Sequence, residues 1–270
     1  MAKGFASCVL LIMYLSLLML CSTGNGHPQH HHHHQQQDGG DDPLDMARRV
    51  GFFTVDDLYV GKAVGIQFYT RDPSSLPPFL SKEVADRIPF SVKELPLLLQ
   101  LFGMAPGSPE AQLAERTLKT CAEEPIKGEQ KTCATSIESF IEFASSMLGG
   151  GQYGVDFRAM KTTHLGKPVS VYQNYTFLDI KEVHSPTMVA CHIMDYPYIV
   201  YMCHSQTSRV YQIKIVGQEV GDALNAIAVC HLDTSQWAPD HVSFKLLGVK
   251  PGTVSICHFF GPHNPVWVKT

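Results

Sequence analysis

The sequence predicts an α+β protein: a helical N-terminal part followed by a β-rich C-terminal part that carries four Cys-His pairs and is stabilised by disulfides. Three observations lead there. Up to residue 151, apolar residues recur at three- and four-residue intervals between capping and stop signals. From Pro168 onward, short runs rich in β-branched and aromatic residues alternate with Gly, Pro, Asp and Ser. Six cysteines follow the first two dozen residues, and four of them directly precede a histidine.

Residues 1–26 read as a secretory signal. Lys3 is their only charge, an apolar run extends from Val9 to Leu20, and Ser22 to Gly26 offer small or polar residues for cleavage. The run is shorter than the roughly 20 residues a membrane-spanning helix needs, and no second long apolar stretch follows. The expectation is a secreted protein with no membrane contact after signal cleavage. Residues 27–50 form a His-, Gln- and Asp-rich linker, including His30 to His34, with too little apolar surface to fold. Its histidines can collect copper, zinc or nickel, but composition alone reads as a solvated tract.

The ordered domain is expected over residues 51–262, with 263–270 as a C-terminal tail. Ser91 and Glu94 form a capping-box pattern ahead of Leu95 to Phe102, although Pro96 places the helix start near itself. Ser108, Pro109 and Glu110 supply an N-cap, a first-turn proline and an acid for a second helix running towards Cys121. Thr135 and Glu138 mark a third. Its apolar positions are Ile137, Phe140, Ile141, Ala144 and Leu148, and Gly149 to Gly151 stop it. Between the last two helices, Cys121 and Cys133 flank a turn-rich stretch. A disulfide there would add about 3 kcal/mol by restricting the unfolded chain. Extended segments are expected at Val169–Tyr175, Ile199–Tyr201, Arg209–Val216, Ala226–Cys230 and Val242–Leu247.

Charge excludes one class of partner. The chain has 21 Lys and Arg against 25 Asp and Glu, a net charge of -4, and no basic cluster suited to nucleic acid. A phosphate-binding glycine loop and a nucleophilic-serine elbow are likewise missing from the sequence. Asn174-Tyr175-Thr176 is an N-glycosylation sequon, which a secreted chain can use.

The chemistry lies in the repeated dipeptide. Cys191-His192, Cys203-His204, Cys230-His231 and Cys257-His258 are separated by 10, 25 and 25 residues. On a strand, successive side chains point to opposite faces, so each pair can send sulfur one way and imidazole the other. In an oxidising compartment the sulfurs favour disulfides, but six cysteines allow 15 pairings, and the four of the array allow three. The four imidazoles can converge on one metal ion or be shared between two. Imidazole ligands suit copper, zinc or nickel, with Cu(II) held most tightly. Two other readings stand beside this one: zinc held by mixed Cys and His ligands, and histidines that only cap or hydrogen-bond. Asp233 and His241 are candidate outer partners of a ligand, although a turn acid and a surface histidine are the simpler explanation.

This array resembles the BURP domain at every interval. Phe52-Phe53, Gly61-Lys62, Ile88-Pro89-Phe90-Ser91, Gly128-Glu129-Gln130-Lys131, Cys133-Ala134-Thr135-Ser136 and Asp233-Thr234-Ser235-Gln236-Trp237 are similar to its other motifs, so the resemblance spans residues 50–260. It implies a plant protein with a signal, a variable linker and a C-terminal domain, bound for the apoplast and cell wall or a vacuolar seed-storage compartment. Some members resemble copper-dependent peptide cyclases, which oxidatively join a Tyr or Trp side chain to another residue of a peptide. Others are apoplastic, cell-wall, seed, anther or stress-associated proteins with no established reaction. Carried over by position, the copper ligands implied are His192, His204, His231 and His258. One departure from the self-modifying members is plain: residues 27–51 contain no Tyr or Trp. The resemblance therefore implies a cyclase acting on a separate peptide or, alternatively, a non-enzymatic partner of a cell-wall component.

Overall fold

Two antiparallel sheets face each other across a shared apolar layer in this computed structural model, which describes residues 50–69, 73–149 and 156–270. The proposed signal and nearly all of the linker lie outside the described residues. In chain order the strands are β1 (Phe52–Thr54), β2 (Ala63–Ile66), β3 (Gln130–Ala134), β4 (Phe157–Met160), β5 (Thr163–His164) and β6 (Gln173–Val183). They continue with β7 (Met188–Met194), β8 (Val200–Ser205), β9 (Ser208–Gly217), β10 (Ala223–His231), β11 (Ile256–Phe260) and β12 (Val266–Lys269). The larger sheet runs β1-β11-β10-β9-β6-β2, with β5 paired to β10, and the smaller runs β3-β8-β7-β12-β4. The α-helices are α1 (Lys82–Ala85), α2 (Leu95–Leu101), α3 (Pro109–Ala122), α4 (Ile137–Leu148) and α5 (Val242–Leu247). Among the described residues no helix is long and apolar enough to cross a membrane.

Strand β10 shows how sequence sets the layers. Leu224, Ala226, Ala228 and Cys230 face one core with Phe177, Ile213 and Phe259. Ile227 and Val229 face the other way, against Met188, Ala190, Val266 and Val268 of the smaller sheet. A strand covered on both faces needs a continuous apolar run, and Ala226 to Cys230 provides one. Behind the smaller sheet, α4 lays Phe140 and Leu148 on Cys191 and Cys203.

The β-rich C-terminal region and three disulfides match the predicted class. The helical N-terminal part does not hold as expected, because β1 and β2 enter the larger sheet and β3 the smaller. Val242–Leu247 is a helix rather than a strand. The His241 ring accepts a hydrogen bond from the Ser243 N–H at its start, and Gly248 ends it with φ 66°. These local signals outweigh the apparent alternation of Val242, Phe244 and Leu246. In the segment read as a tail, Val266–Lys269 forms β12 between β7 and β4.

The α3 start follows its signals, with Ser108 accepting from Ala111 N at 3.2 Å. Helix α2 begins at Leu95, with Pro96 in its first turn. Helix α4 is capped one residue later than expected, by reciprocal bonds between Ser136 and Ser139. Glu138 turns away to accept the Lys82 N–H at 2.8 Å. Ile137 and Ile141 stay exposed, so the buried stripe of α4 is Phe140, Ala144 and Leu148.

Candidate metal centre

The site is built from two copies of one ladder geometry. Cys191 stands directly opposite Cys203 on β7 and β8, and Cys230 directly opposite Cys257 on β10 and β11. Both pairs are disulfides, with Cα separations of 4.1 and 3.9 Å. In an antiparallel ladder, the residues that follow two facing residues are not opposite each other but diagonal, and both lie on the other face. His192 accordingly faces Met202 while His204 faces Ala190, and His231 faces Ile256 while His258 faces Val229. Diagonal neighbours are close enough for long or aromatic side chains to meet. The disulfides point into the cores away from the shared layer, and the imidazoles gather between the sheets beside Phe260.

The four rings form a closed circuit. Nε2 of His192 lies 3.4 Å from Nε2 of His204, and Nε2 of His231 lies 3.2 Å from that of His258. Across the sheets, ring centroids are 5.8 Å apart for His204 and His231 and 6.0 Å for His192 and His258. All four contacts are within 25–30° of parallel. Three of the outer nitrogens have polar neighbours of their own. His204 Nδ1 is 3.0 Å from Glu129 Oε1, an approach off the ideal N–H axis. His258 Nδ1 is 3.3 Å from the Phe259 carbonyl, and His231 Nδ1 meets Ser208 Oγ at 3.1 Å and the Gln206 amide.

Burial disfavours the charged form of His192, His231 and His258. Loss of hydration pushes His192 and His231 well below the usual imidazole range, and neighbouring histidines push the same way. His258 is lowered to about 4, mainly by burial. Burial alone would raise the Glu129 carboxyl, but the His204 ring, the Ile126 N–H and Lys131 together hold it below the ordinary value.

Neutral imidazole lone pairs are what a metal ion requires. Two ligand nitrogens on one tetrahedral ion stand about 3.3 Å apart. Both Nε2 separations match that edge, so the donor set fits copper or zinc pair by pair. The same distances also suit one imidazole N–H donating to the next. Among the described residues no three His, Cys, Asp or Glu side chains stand closed around a common point. One ion held by all four rings would therefore draw the two pairs together. Mixed Cys and His ligation is ruled out, because the four sulfurs are in disulfides. A cleft of about 410 Å³, whose walls include His192, His258, Tyr69, Gln67, His263 and Asn264, reaches the circuit from one side.

The third disulfide, Cys121–Cys133, closes the turn-rich loop between α3 and β3. Asn174 is exposed on β6. Asp233 is a turn acid accepting the Ser235 N–H at 2.9 Å. His241 packs against Trp237 and Phe52, whose rings in turn contact His231 and His258. Sequence reasoning quoted Glu129 only as part of a motif and passed over Gln206 and Ser208. Their chain positions carry no signal of where they fold.

The BURP domain family profile matches residues 51–269. A rice protein, BURP domain-containing protein 17 of Oryza sativa subsp. japonica, is 42% identical over 81% of this chain and 38% of its own length. BURP domain protein USPL1 of Arabidopsis thaliana is 40% identical over 80% of this chain and 79% of its own. Protein RAFTIN 1A of Triticum aestivum is 40% identical over 81% of this chain and 55% of its own. The chain thus spans well under half the length of the rice relative and about half that of the wheat one.

Proposed function

This chain belongs to the BURP-domain family of plant proteins, and from that premise we propose that it is a secreted copper protein that oxidatively cross-links Tyr or Trp side chains of a separate peptide. The observation that carries this reading is the closed circuit of four imidazoles, one from each Cys-His pair, with a cleft at its side. Copper held by His192, His204, His231 and His258 would supply a one-electron oxidant that O₂ regenerates.

The protein's own part is positioning. The two ladder disulfides fix the strand pairs from which the imidazoles project. Phe260 and Val229, both buried, close the inner side of the circuit to water. His192, the most exposed of the four, and His258 face the cleft where a peptide aromatic would enter. Action on a separate peptide is favoured because residues 27–51 hold no Tyr or Trp to be joined. In the secreted setting, the exposed Asn174 is the glycosylation position.

Mass spectrometry of Tyr- and Trp-containing peptides incubated with copper-loaded protein tests the reaction. The expected product has lost two hydrogens per bond formed, and His231→Ala abolishes it. Unchanged peptides throughout would remove support for the cyclase.

A second reading, an apoplastic, cell-wall, seed or anther protein without catalysis, is favoured by one observation. Within each pair the imidazoles stand at hydrogen-bonding distance, which gives them a role without metal.

A further inference from the structure

We propose that Glu129 is a positioning residue for His204: its carboxylate keeps the ring proton on Nδ1, as the acceptor beside it, and so leaves the Nε2 lone pair turned towards the other imidazoles. The inference rests on reading the imidazole circuit as a metal centre.

Glu129 immediately precedes β3, which pairs with β8 so that Lys131 stands opposite His204. One oxygen, Oε1, is 3.0 Å from His204 Nδ1, and the other accepts the Ile126 N–H at 3.2 Å. The loop that carries it is tied at both ends by Cys121–Cys133. Lys131, two residues on, fixes its ammonium on the carbonyls of Thr120 and Glu123 at 2.7 and 3.0 Å. The Ile126 N–H thus holds the carboxylate while the disulfide and Lys131 hold the loop that carries it.

Chemistry then selects the tautomer. A carboxylate can only accept, and His204 Nδ1 is buried without a well-aligned hydrogen bond, with Glu129 Oε1 at 3.0 Å as the acceptor in reach. A lone pair on that nitrogen would face the carboxylate oxygen at 3.0 Å in a poorly solvated place. A proton there removes the repulsion and makes Nε2 the lone-pair nitrogen. His231 differs, because its Nδ1 meets an amide and a hydroxyl, each of which donates or accepts after rotation. Glu129 is the one ionised group among these outer partners, and it fixes what the neutral ones only accommodate. Carboxylates behind a ligating histidine orient the ring and raise its basicity.

The test uses the full mature chain with His27 and His30 to His34 replaced by Ser, so that the linker takes up no metal. In the metal-free protein, ¹⁵N NMR of the His204 ring is expected to show a protonated Nδ1 and a bare Nε2. Glu129→Leu should populate the Nε2-protonated form, and the shape-conserving Glu129→Gln guards against misfolding as the cause. Copper affinity should fall about 10- to 100-fold in both variants, with altered hyperfine splitting in the EPR spectrum. An Nε2-protonated His204 in the unsubstituted site, or a tautomer unaffected by either variant, would overturn the inference. If Glu129 sets the tautomer but the protein takes up no copper, the metal-centre reading fails while the tautomer assignment stands.

Discussion

His231 and His258 bring their Nε2 atoms to 3.2 Å across a ladder that Cys230 and Cys257 staple from the opposite face. The two chemistries of the dipeptide are therefore coupled mechanically. The disulfide fixes which residues of β10 and β11 face each other, and that register alone makes the following imidazoles diagonal neighbours. The same relation recurs with Cys191, Cys203, His192 and His204 in the other sheet.

Removing the Cys230–Cys257 bridge should cost both stability and the site. With a sequence separation of 27, the chain-entropy model gives about 3–4 kcal/mol, against about 3 kcal/mol for Cys121–Cys133 at a separation of 12. Urea denaturation of Cys230→Ala/Cys257→Ala should show a matching fall in midpoint. A variant within about 1 kcal/mol of the parent would show that the bridge is not needed to hold the ladder.

Acid should destabilise the metal-free protein through these histidines. Unfolded, each binds a proton near pH 6.5, whereas in the folded state His258 does so only near 4, and His192 and His231 are also lowered well below the ordinary value. Between those pH values the unfolded state holds more protons, so stability is full above about 6.5 and declines as pH falls towards 4. For His258 the shift corresponds to on the order of 3 kcal/mol. Thermal melts from pH 7.5 to 4 read this directly, and replacing His258 with Gln should flatten the slope. A melting temperature constant over that range would contradict buried neutral rings.

Tryptophan fluorescence should report copper at the circuit. The chain has two tryptophans, and the Trp237 ring lies 5.1 Å from His231, while Trp267 packs on Phe140 and Phe157. Adding Cu(II) is expected to quench most of the Trp237 emission, and Trp237→Phe should remove most of the effect. Equal quenching in that variant would place the ion elsewhere.

Capping of α4 offers a local check. Ser136→Ala should cost about 1 kcal/mol, whereas Thr135→Ala should cost much less, because Ser136 makes the reciprocal bonds with Ser139. Chemical denaturation of the two variants separates them.

Local signals were readable where one residue suffices to act. Ser108 and Pro109 start α3, and the run Ala226 to Cys230 marks a strand. The opposed directions of sulfur and imidazole also follow from strand geometry, and so were legible in the dipeptide itself. Disulfide connectivity was not, because it depends on β7 pairing with β8 and β10 with β11. Nor was the meeting of His204 with His231, which needs two sheets to pack face to face. Val242–Leu247 misled because its alternation is short and its ends are set by His241 and Gly248. Glu129 was hidden for a similar reason, since strand pairing alone carries it to His204.

Copper uptake and EPR on residues 27–270, with the linker histidines replaced, decide whether the imidazoles of the four Cys-His pairs form a copper centre. Beside them stands a His204→Ala/His231→Ala variant that keeps Cys191, Cys203, Cys230 and Cys257. Stoichiometric Cu(II) with nitrogen superhyperfine structure is expected in the parent, and loss of both in the variant. No stoichiometric uptake by the parent, or an unchanged spectrum in the variant, would rule the centre out.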